Sequence, residues 1–302
     1  MVGRDKSKWI HLRNFHNAIK YELLKSVVEY YNDKGIEHLS LLDVSVGKGG
    51  DYPKWKKLGI KNSVGMDPSE NSIKEAKKRF SKDKDKFIYT PPDSTAITAD
   101  WSDGGPPLKQ KLYDIVSCQM SLHYFFKNET MLENAIKNIS NSLMPGGIFV
   151  GTAMNENKII ENLIRPNESK LFNGLIYFKF IKKKQELTPA YILKWGDIEE
   201  VKNYMKKTTE QDSKLDLDME FLVSRKMFLD VCEYYNLYPV EINDFVENFV
   251  SFENWHAKLK NKKIDLWSKN KDITLEKHEK FMSFMYESFV FIKRIDLTKE
   301  TD

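Results

Sequence analysis

The sequence predicts an α/β fold: a mostly parallel sheet with helices on both faces, preceded by an N-terminal helix and followed by a C-terminal insertion that serves the substrate. Three observations predict it. Short apolar runs of strand length alternate with stretches of helical periodicity, a glycine cluster directly follows the first such run, and the alternation dissolves after about Arg165. Alternating strands and helices build parallel sheets because consecutive parallel strands need a crossover between them.

The first helix is expected over Asn14–Tyr31, where Ile19, Leu23, Leu24, Val27, Val28 and Tyr31 repeat at helical spacing. The run Leu39–Val44 has strand length and enters Gly47-Lys48-Gly49-Gly50. A short helix near Tyr52–Leu58, a strand Ser63–Met66 and a helix Asn71–Phe80, opened by Ser69 or Asn71, come next. Further strands are predicted at Thr95–Ala99, Asp114–Ser117 and Gly147–Ala153. The helix Glu129–Leu143 stops at Met144-Pro145-Gly146-Gly147, a helix-ending turn. Later signals are a helix, Arg225–Tyr235, and a terminal strand, Phe289–Ile295. Residues 1–302 read as a single domain, with 1–165 as a ligand-binding core and 166–302 as a substrate element completing the sheet.

A chain of 302 residues has room for one large α/β domain with an insertion. Hydrophobic residues at 41% and charged residues at 30% exclude a disordered chain. No apolar stretch approaches the ~20 residues that cross a bilayer, and Met1–Trp9 lacks an apolar signal core. Cys118 and Cys232 show no metal-ligand pattern, which predicts a reducing compartment and no metal site. The net charge is only +4, yet lysines and arginines cluster at 54–57, 77–79, 182–184 and 260–263. Each clump alone reads as a solvated face; several on one face would suit a phosphate-rich partner.

In open α/β sheets, ligands bind beyond the carboxyl ends of the strands. The loop Val46-Gly47-Lys48-Gly49-Gly50-Asp51 lies there, and its glycines let backbone approach a ligand. Asp67, ending the second predicted strand, suits a pair of ribose hydroxyls, and Asp100, ending the third, suits an adenine amino group. A nicotinamide site is disfavoured because Ser45 stands where the first glycine of G-x-G-x-x-G belongs. Asp51 would repel a pyrophosphate but attract the amino group of a methionine moiety. These acids together point to S-adenosylmethionine.

Several separated blocks carry a family likeness. They are Leu12-Arg13-Asn14-Phe15-His16-Asn17-Ala18-Ile19-Lys20, Leu42-Asp43 through Asp51, Lys54-Trp55-Lys56-Lys57, Ile97-Thr98-Ala99-Asp100, and Tyr113 to Gln119 running on to His123-Tyr124. Glu220-Phe221-Leu222-Val223 and Tyr286 to Phe291 complete the set. Over nearly its whole length the chain resembles the messenger-RNA cap guanine-N7 methyltransferases. The resemblance implies a Rossmann-like class I methyltransferase fold with a C-terminal cap-binding insertion, and methyl transfer from S-adenosylmethionine to N7 of the cap guanosine.

By that resemblance, Lys20 holds the methionine carboxylate, Asp67 the ribose and Asp100 the adenine, with Ser45, Gly47 and Asp51 in the cofactor loop. Gln119 and Tyr124 close the cofactor pocket. His123, Glu220 and Tyr286 meet the cap guanine, Lys48, Lys54 and Arg79 face its triphosphate bridge, and His16 and Asn17 touch the cap nucleoside. The implied partners are the capped RNA 5′ end and the RNA triphosphatase and guanylyltransferase domains of a larger capping enzyme, with no membrane partner. The implied location is cytoplasmic for a viral enzyme and nuclear otherwise, not secreted.

Residue chemistry supports the guanine assignment. Guanine presents two adjacent donors, N1–H and the 2-amino group, which one acceptor-only carboxylate can bind together. Flat side chains such as Tyr286 can stack on the base. Guanine N7 already carries a free lone pair, so no general base is needed, and no Ser-His-Asp or Cys-His arrangement is expected. Departures from the family pattern are Ser45-Val46 for Gly-Cys, His16 for asparagine, Met120 for an aromatic residue, Met154 for proline and Trp101 for serine. They suggest a divergent member, such as one encoded by a large DNA virus. Two other readings keep part of this picture: a methyltransferase acting on a protein or small molecule, and a non-catalytic RNA-binding subunit.

Overall fold

The computed structural model describes residues 9–92, 94–101, 112–163, 169–172, 175–181, 187–210, 219–242, 247–260 and 273–294. The expected boundary at Arg165, the clump at 182–184, residues 261–263 of the last clump and the strand end at Ile295 lie outside them. In chain order the core contains α1 (Ile10–Asn32), β1 (Ser40–Asp43), α2 (Tyr52–Lys57), β2 (Asn62–Asp67), α3 (Glu70–Arg79), β3 (Phe87–Tyr89), β4 (Tyr113–Gln119), α4 (Glu129–Ser142), β5 (Leu143–Met154) and α5 (Glu156–Leu163). There follow β6 (Ser169–Phe172), β7 (Ile176–Ile181), β8 (Ala190–Trp195), α6 (Ile198–Glu210), β9 (Met219–Phe221), α7 (Arg225–Tyr234), β10 (Leu237–Pro239), β11 (Phe249–Ser251), α8 (Phe252–Lys260), α9 (Lys277–Ser283) and β12 (Tyr286–Lys293).

The main sheet has the order β10-β12-β5-β4-β1-β2-β3, with β11 also pairing β12. Strands β3, β2, β1, β4 and β5 run parallel, whereas β12 is antiparallel to β5. All four residues of β1 are buried, as a central strand covered on both faces requires. One face packs on α1 through Phe15, Ile19, Leu23 and Val27; the other packs on α4 through Leu132, Ile136 and Ile139. Ser69 caps α3 by accepting the Ser72 N–H at 3.3 Å, and Asn128 caps α4 by accepting the Met131 N–H at 2.8 Å. At the other end of α4, the Lys293 ammonium donates to the Ser140 and Leu143 carbonyls at 2.6 and 3.0 Å.

Two expectations need correction. Residues Thr95–Ala99 form turns rather than a strand, and the third strand of this half is Phe87–Tyr89. After Pro91 the N–H groups of Thr95 and Ala96 return to the Pro91 carbonyl, and Asn138 donates its amide to the Ile97 and Ala99 carbonyls. Those backbone groups are thereby satisfied without a ladder. The terminal strand begins earlier than expected, at Tyr286, which pairs with Met154.

The irregular-looking C-terminal half contains a second, antiparallel sheet, β6-β7-β8-β9. Its faces are both covered. Phe178 and Tyr191 join the cluster containing Met154 and Tyr286, while Tyr177, Ala190, Ile192 and Phe221 join the one containing Phe125 and Phe126. This sheet therefore sits at the carboxyl ends of β4 and β5, where the fold places a ligand.

Candidate active site

The cofactor loop turns left-handed at Gly47 (φ 51°) and Gly49 (φ 72°). A Cβ on Gly49 would lie 2.9 Å from the Phe80 ring, so this position takes glycine for two reasons. Asp67, at the end of β2, holds the loop: its carboxylate accepts the Gly47 and Ser69 N–H groups, each at 2.8 Å. Burial raises its pKa, and those two donors oppose the rise. Each oxygen keeps a lone pair for a ribose hydroxyl.

Beside the loop, Asp51 receives the ammonium groups of Lys20 at 3.1 Å and Lys54 at 2.5 Å. Burial would raise this carboxyl, yet the two lysines hold it well below the usual carboxylate range. Lys54 also donates to Asn17 Oδ1 at 2.8 Å and is 1% exposed. Two cations around one carboxylate leave a net positive charge, which suits the carboxylate of an amino-acid moiety. Ser45 has no positive φ and needs no glycine; its N–H donates to Asp43 Oδ1 at 3.0 Å and its hydroxyl accepts from Ser121.

Asp43, quoted within the cofactor block but not singled out as a ligand, is 1% exposed. Its Oδ2 has no hydrogen-bond partner among the described residues. Burial, with Asp51 and Asp67 nearby, pushes its pKa up to about 8. A buried acceptor of this kind fits the amino group of a methionine moiety.

At the end of β4, Gln119 accepts from Thr152 at 3.0 Å and donates to Ser117 at 3.2 Å. Met120 follows with φ 63°, a strained angle for a residue with a side chain, held by Thr152. This sharp exit aims the next turn, bearing His123 and Tyr124 with their rings 4.1 Å apart, at the second sheet.

Glu220 on β9 is the electrostatic centre of that region. It sits opposite Tyr191 in the β8–β9 register, and its charge acts on His123, Tyr191 and Tyr286. Tyr191, absent from the sequence-based set, is fully buried; its hydroxyl lies 3.0 Å from Met154 Sδ and is hydrogen-bonded to Glu220. Burial, then Glu220, pushes its ionisation well above the ordinary tyrosine value. His123 is buried with its Nε2 unpartnered among the described residues, and burial lowers its pKa against the opposing pull of Glu220. Tyr286 is 9% exposed, and burial followed by Glu220 raises its pKa.

Four expected positions differ from the sequence-based picture. His16 is buried and bonded to Ser283 at 2.6 Å, and its ring meets Tyr286 and Phe252 edge-on. Burial, then Lys20, lowers its pKa to about 3. Lys54 is buried and donates to both Asp51 and Asn17, so its ammonium is turned towards these two side chains. Asp100 lies on an exposed loop, because the strand expected to end there does not form. Lys48 pairs with Glu75 at 2.9 Å, and Arg79 lies 5.0 Å over the Phe80 ring, both on the exposed side of the loop. Among the described residues no group of three or more His, Cys, Asp or Glu could hold a metal.

The sequence pattern of the mRNA (guanine-N(7))-methyltransferase domain matches residues 1–294. The chain belongs to this family. It is 30% identical to the mRNA cap guanine-N(7) methyltransferase of Candida albicans over 96% of its own length, and 28% identical to that of Schizosaccharomyces pombe over 81%. It spans 65% and 64% of those two relatives, respectively. Solved methyltransferases share the fold. An S-adenosylmethionine-dependent enzyme from Clostridium acetobutylicum aligns with a TM-score of 0.51 over 97% of this chain and 95% of its own, at 12% identity. The CcbJ methyltransferase from Streptomyces caelestis gives 0.53 over 90% and 89%, also at 12% identity. As a cap methyltransferase family member, the chain has a Rossmann-like sheet whose antiparallel β12 carries Tyr286 to the same edge as the cofactor loop.

Proposed function

We propose that the chain transfers a methyl group from S-adenosylmethionine to N7 of the guanosine cap of RNA. The observation that carries this reading is the grouping of His123, Tyr191 and Tyr286 around the Glu220 carboxylate, at the same sheet edge as Asp43, Asp51 and Asp67. Helix α1 bridges the two groups: His16 touches Tyr286, and Lys20, one turn later, pairs with Asp51.

In this reading Asp67 takes the ribose, Lys20 the methionine carboxylate, and Asp43 with Asp51 the amino group. Ser45, Gly47, Gln119 and Tyr124 border the cofactor, and Asp100 reaches its adenine from the loop. Lys54, with Lys20, keeps Asp51 ionised, and Asn17 steadies the Lys54 ammonium by accepting from it; neither Asn17 nor Lys54 is assigned a direct cap contact. Lys48 and Arg79 meet the triphosphate bridge.

S-adenosylmethionine, when bound, supplies an activated methyl group whose departure leaves a neutral thioether. The protein then has to align the acceptor. Glu220 accepts from guanine N1–H and the 2-amino group, which fixes the rotation of the base and points N7 away from the carboxylate. Tyr286 lies against the base, with His16 behind it holding the ring. His123 stays neutral near pH 7 because its pKa is lowered, so it does not repel the positive charge that grows on the base. Tyr191 likewise stays protonated and orients Glu220. Catalysis is by proximity and orientation and needs no proton transfer before attack.

The test is incubation with methyl-labelled S-adenosylmethionine and guanosine-capped RNA, followed by digestion to nucleosides. Label in N7-methylguanosine is the expected result. Label elsewhere, or none, contradicts the proposal.

A further inference from the structure

The molecule is electrically lopsided. The segment from Lys48 to Lys86 carries twelve Lys or Arg against six Asp or Glu, a net charge of +6, while the whole chain carries +4. The other residues together are therefore slightly acidic. Two of the six acids, Asp51 and Asp67, belong to the cofactor site and do not mask the surface. Of the twelve cations only Lys54 is buried.

These cations form a connected path. Lys48 leaves the cofactor loop and pairs with Glu75 at 2.9 Å; one turn along α3, Arg79 covers Phe80. Phe80 meets Tyr52 edge-on at 5.0 Å, and Lys56 lies 5.7 Å from the Tyr52 ring. Lys56 pairs with Asp83 at 3.2 Å, in the short helical stretch Ser81–Lys86 that also carries Lys82 and Lys84. Lys86 then donates to the Lys61 carbonyl at 2.8 Å. A row of cations thus runs from the cofactor loop, across α2 and α3, to the start of β3, exposed except for the half-buried Lys86.

We infer that this row binds the phosphodiester backbone of the RNA chain downstream of the cap. The inference rests on the proposed cap reading and extends it beyond the triphosphate bridge. RNA is favoured over an acidic protein because its phosphates are covalently continuous with a group already held at Lys48, which raises their local concentration along the path. Base identity plays no part: backbone contacts position a chain without reading sequence.

The test compares the parent with a Lys82→Gln, Lys84→Gln, Lys86→Gln triple variant on two substrates, the dinucleotide GpppG and a capped 20-nucleotide RNA. Turnover of GpppG should be unchanged, which also shows that the variant folds. For single strands each phosphate contact adds about 0.7 to the salt slope of binding. Losing three contacts lowers the slope by about 2, so between 50 and 200 mM salt the parent should lose roughly 20-fold more affinity for the capped RNA than the variant. Restoring charge with arginine at the three positions should restore the slope. Uncapped 20-nucleotide RNA should bind the variant more weakly than the parent, with the salt slope again lower by about 2; that arm reads the path without the cap pocket, so it succeeds or fails independently of the cap reading. A variant with the parental slope and KM on capped RNA overturns the inference. So does displacement from the parent by an acidic peptide where uncapped RNA does not compete.

Discussion

The Asp67 carboxylate holds Gly47 and Ser69, and in the proposed function it also accepts the ribose hydroxyls. Hydrogen bonds to a charged group contribute about 1.5–3 kcal/mol each, so Asp67→Ala should weaken S-adenosylmethionine binding at least 10-fold. Calorimetry on the folded variant checks this, and parental affinity would remove Asp67 from the site. Asp43 makes a different, pH-dependent prediction. With its pKa near 8 it is mostly protonated at pH 7, and it must lose that proton to receive an ammonium. Cofactor binding at pH 7 should therefore release a proton from Asp43, and affinity should rise as pH approaches 8. Calorimetry in two buffers of different ionisation enthalpy measures the release; an Asp43→Asn variant that releases as much as the parent would contradict it. The positions of Asp51 and Asp67, beside the glycine loop and at the end of β2, were legible because each acid directly adjoins a strong local signal, the glycine cluster and the strand end. Asp43 and Tyr191 were not, because what marks them is burial beside an unsatisfied or charged neighbour. Lys54 misled: in Lys54-Trp55-Lys56-Lys57 it looks like its neighbours, yet helical spacing returns it to Asp51, three residues back.

The elements of the first half follow from local signals, and most of them appear where apolar spacing and caps put them. The exception is instructive. Thr95–Ala99 has a strand-like composition, but Pro91 and the Asn138 amide satisfy its backbone as turns, and Asn138 is far away in sequence. The second sheet escaped because its strands are short: no clean polar–apolar alternation survives in β7 or β8, and β9 alternates over only three residues. At the level of the cofactor loop the structure predicts a specific weakness. Gly49→Ala adds a Cβ at positive φ against the Phe80 ring, and strain of this kind costs about 1–3 kcal/mol. The denaturant midpoint should fall with an unchanged m-value, and cofactor affinity should fall with it. A parental midpoint would show that the loop relaxes without penalty.

Across the whole molecule, two layers with different chemistry meet at one edge. The parallel sheet carries the glycine loop with Asp43, Asp51 and Asp67, which the proposed function gives to the cofactor; the antiparallel sheet carries Glu220 and Tyr191, which it gives to the base, and β12 and α1 join them through Tyr286 and His16. The class of fold was readable because alternation along the chain is a global property. The meeting of Glu220 with His123 and Tyr286 was not readable from spacing, since nearly a hundred residues separate the first two; it entered through family resemblance. In the proposed function Glu220 is the residue that reads guanine. Glu220→Gln keeps the shape of the side chain but turns one acceptor into a donor facing a guanine donor, and a bidentate base contact is worth about 1–3 kcal/mol. The decisive measurement is separate titration of S-adenosylmethionine and a cap analogue into parent and Glu220→Gln protein, with turnover on capped RNA. Cofactor affinity should be unchanged, with at least a several-fold loss in cap affinity and methyl transfer; a variant that binds the cap analogue and methylates capped RNA like the parent would contradict guanine recognition by Glu220.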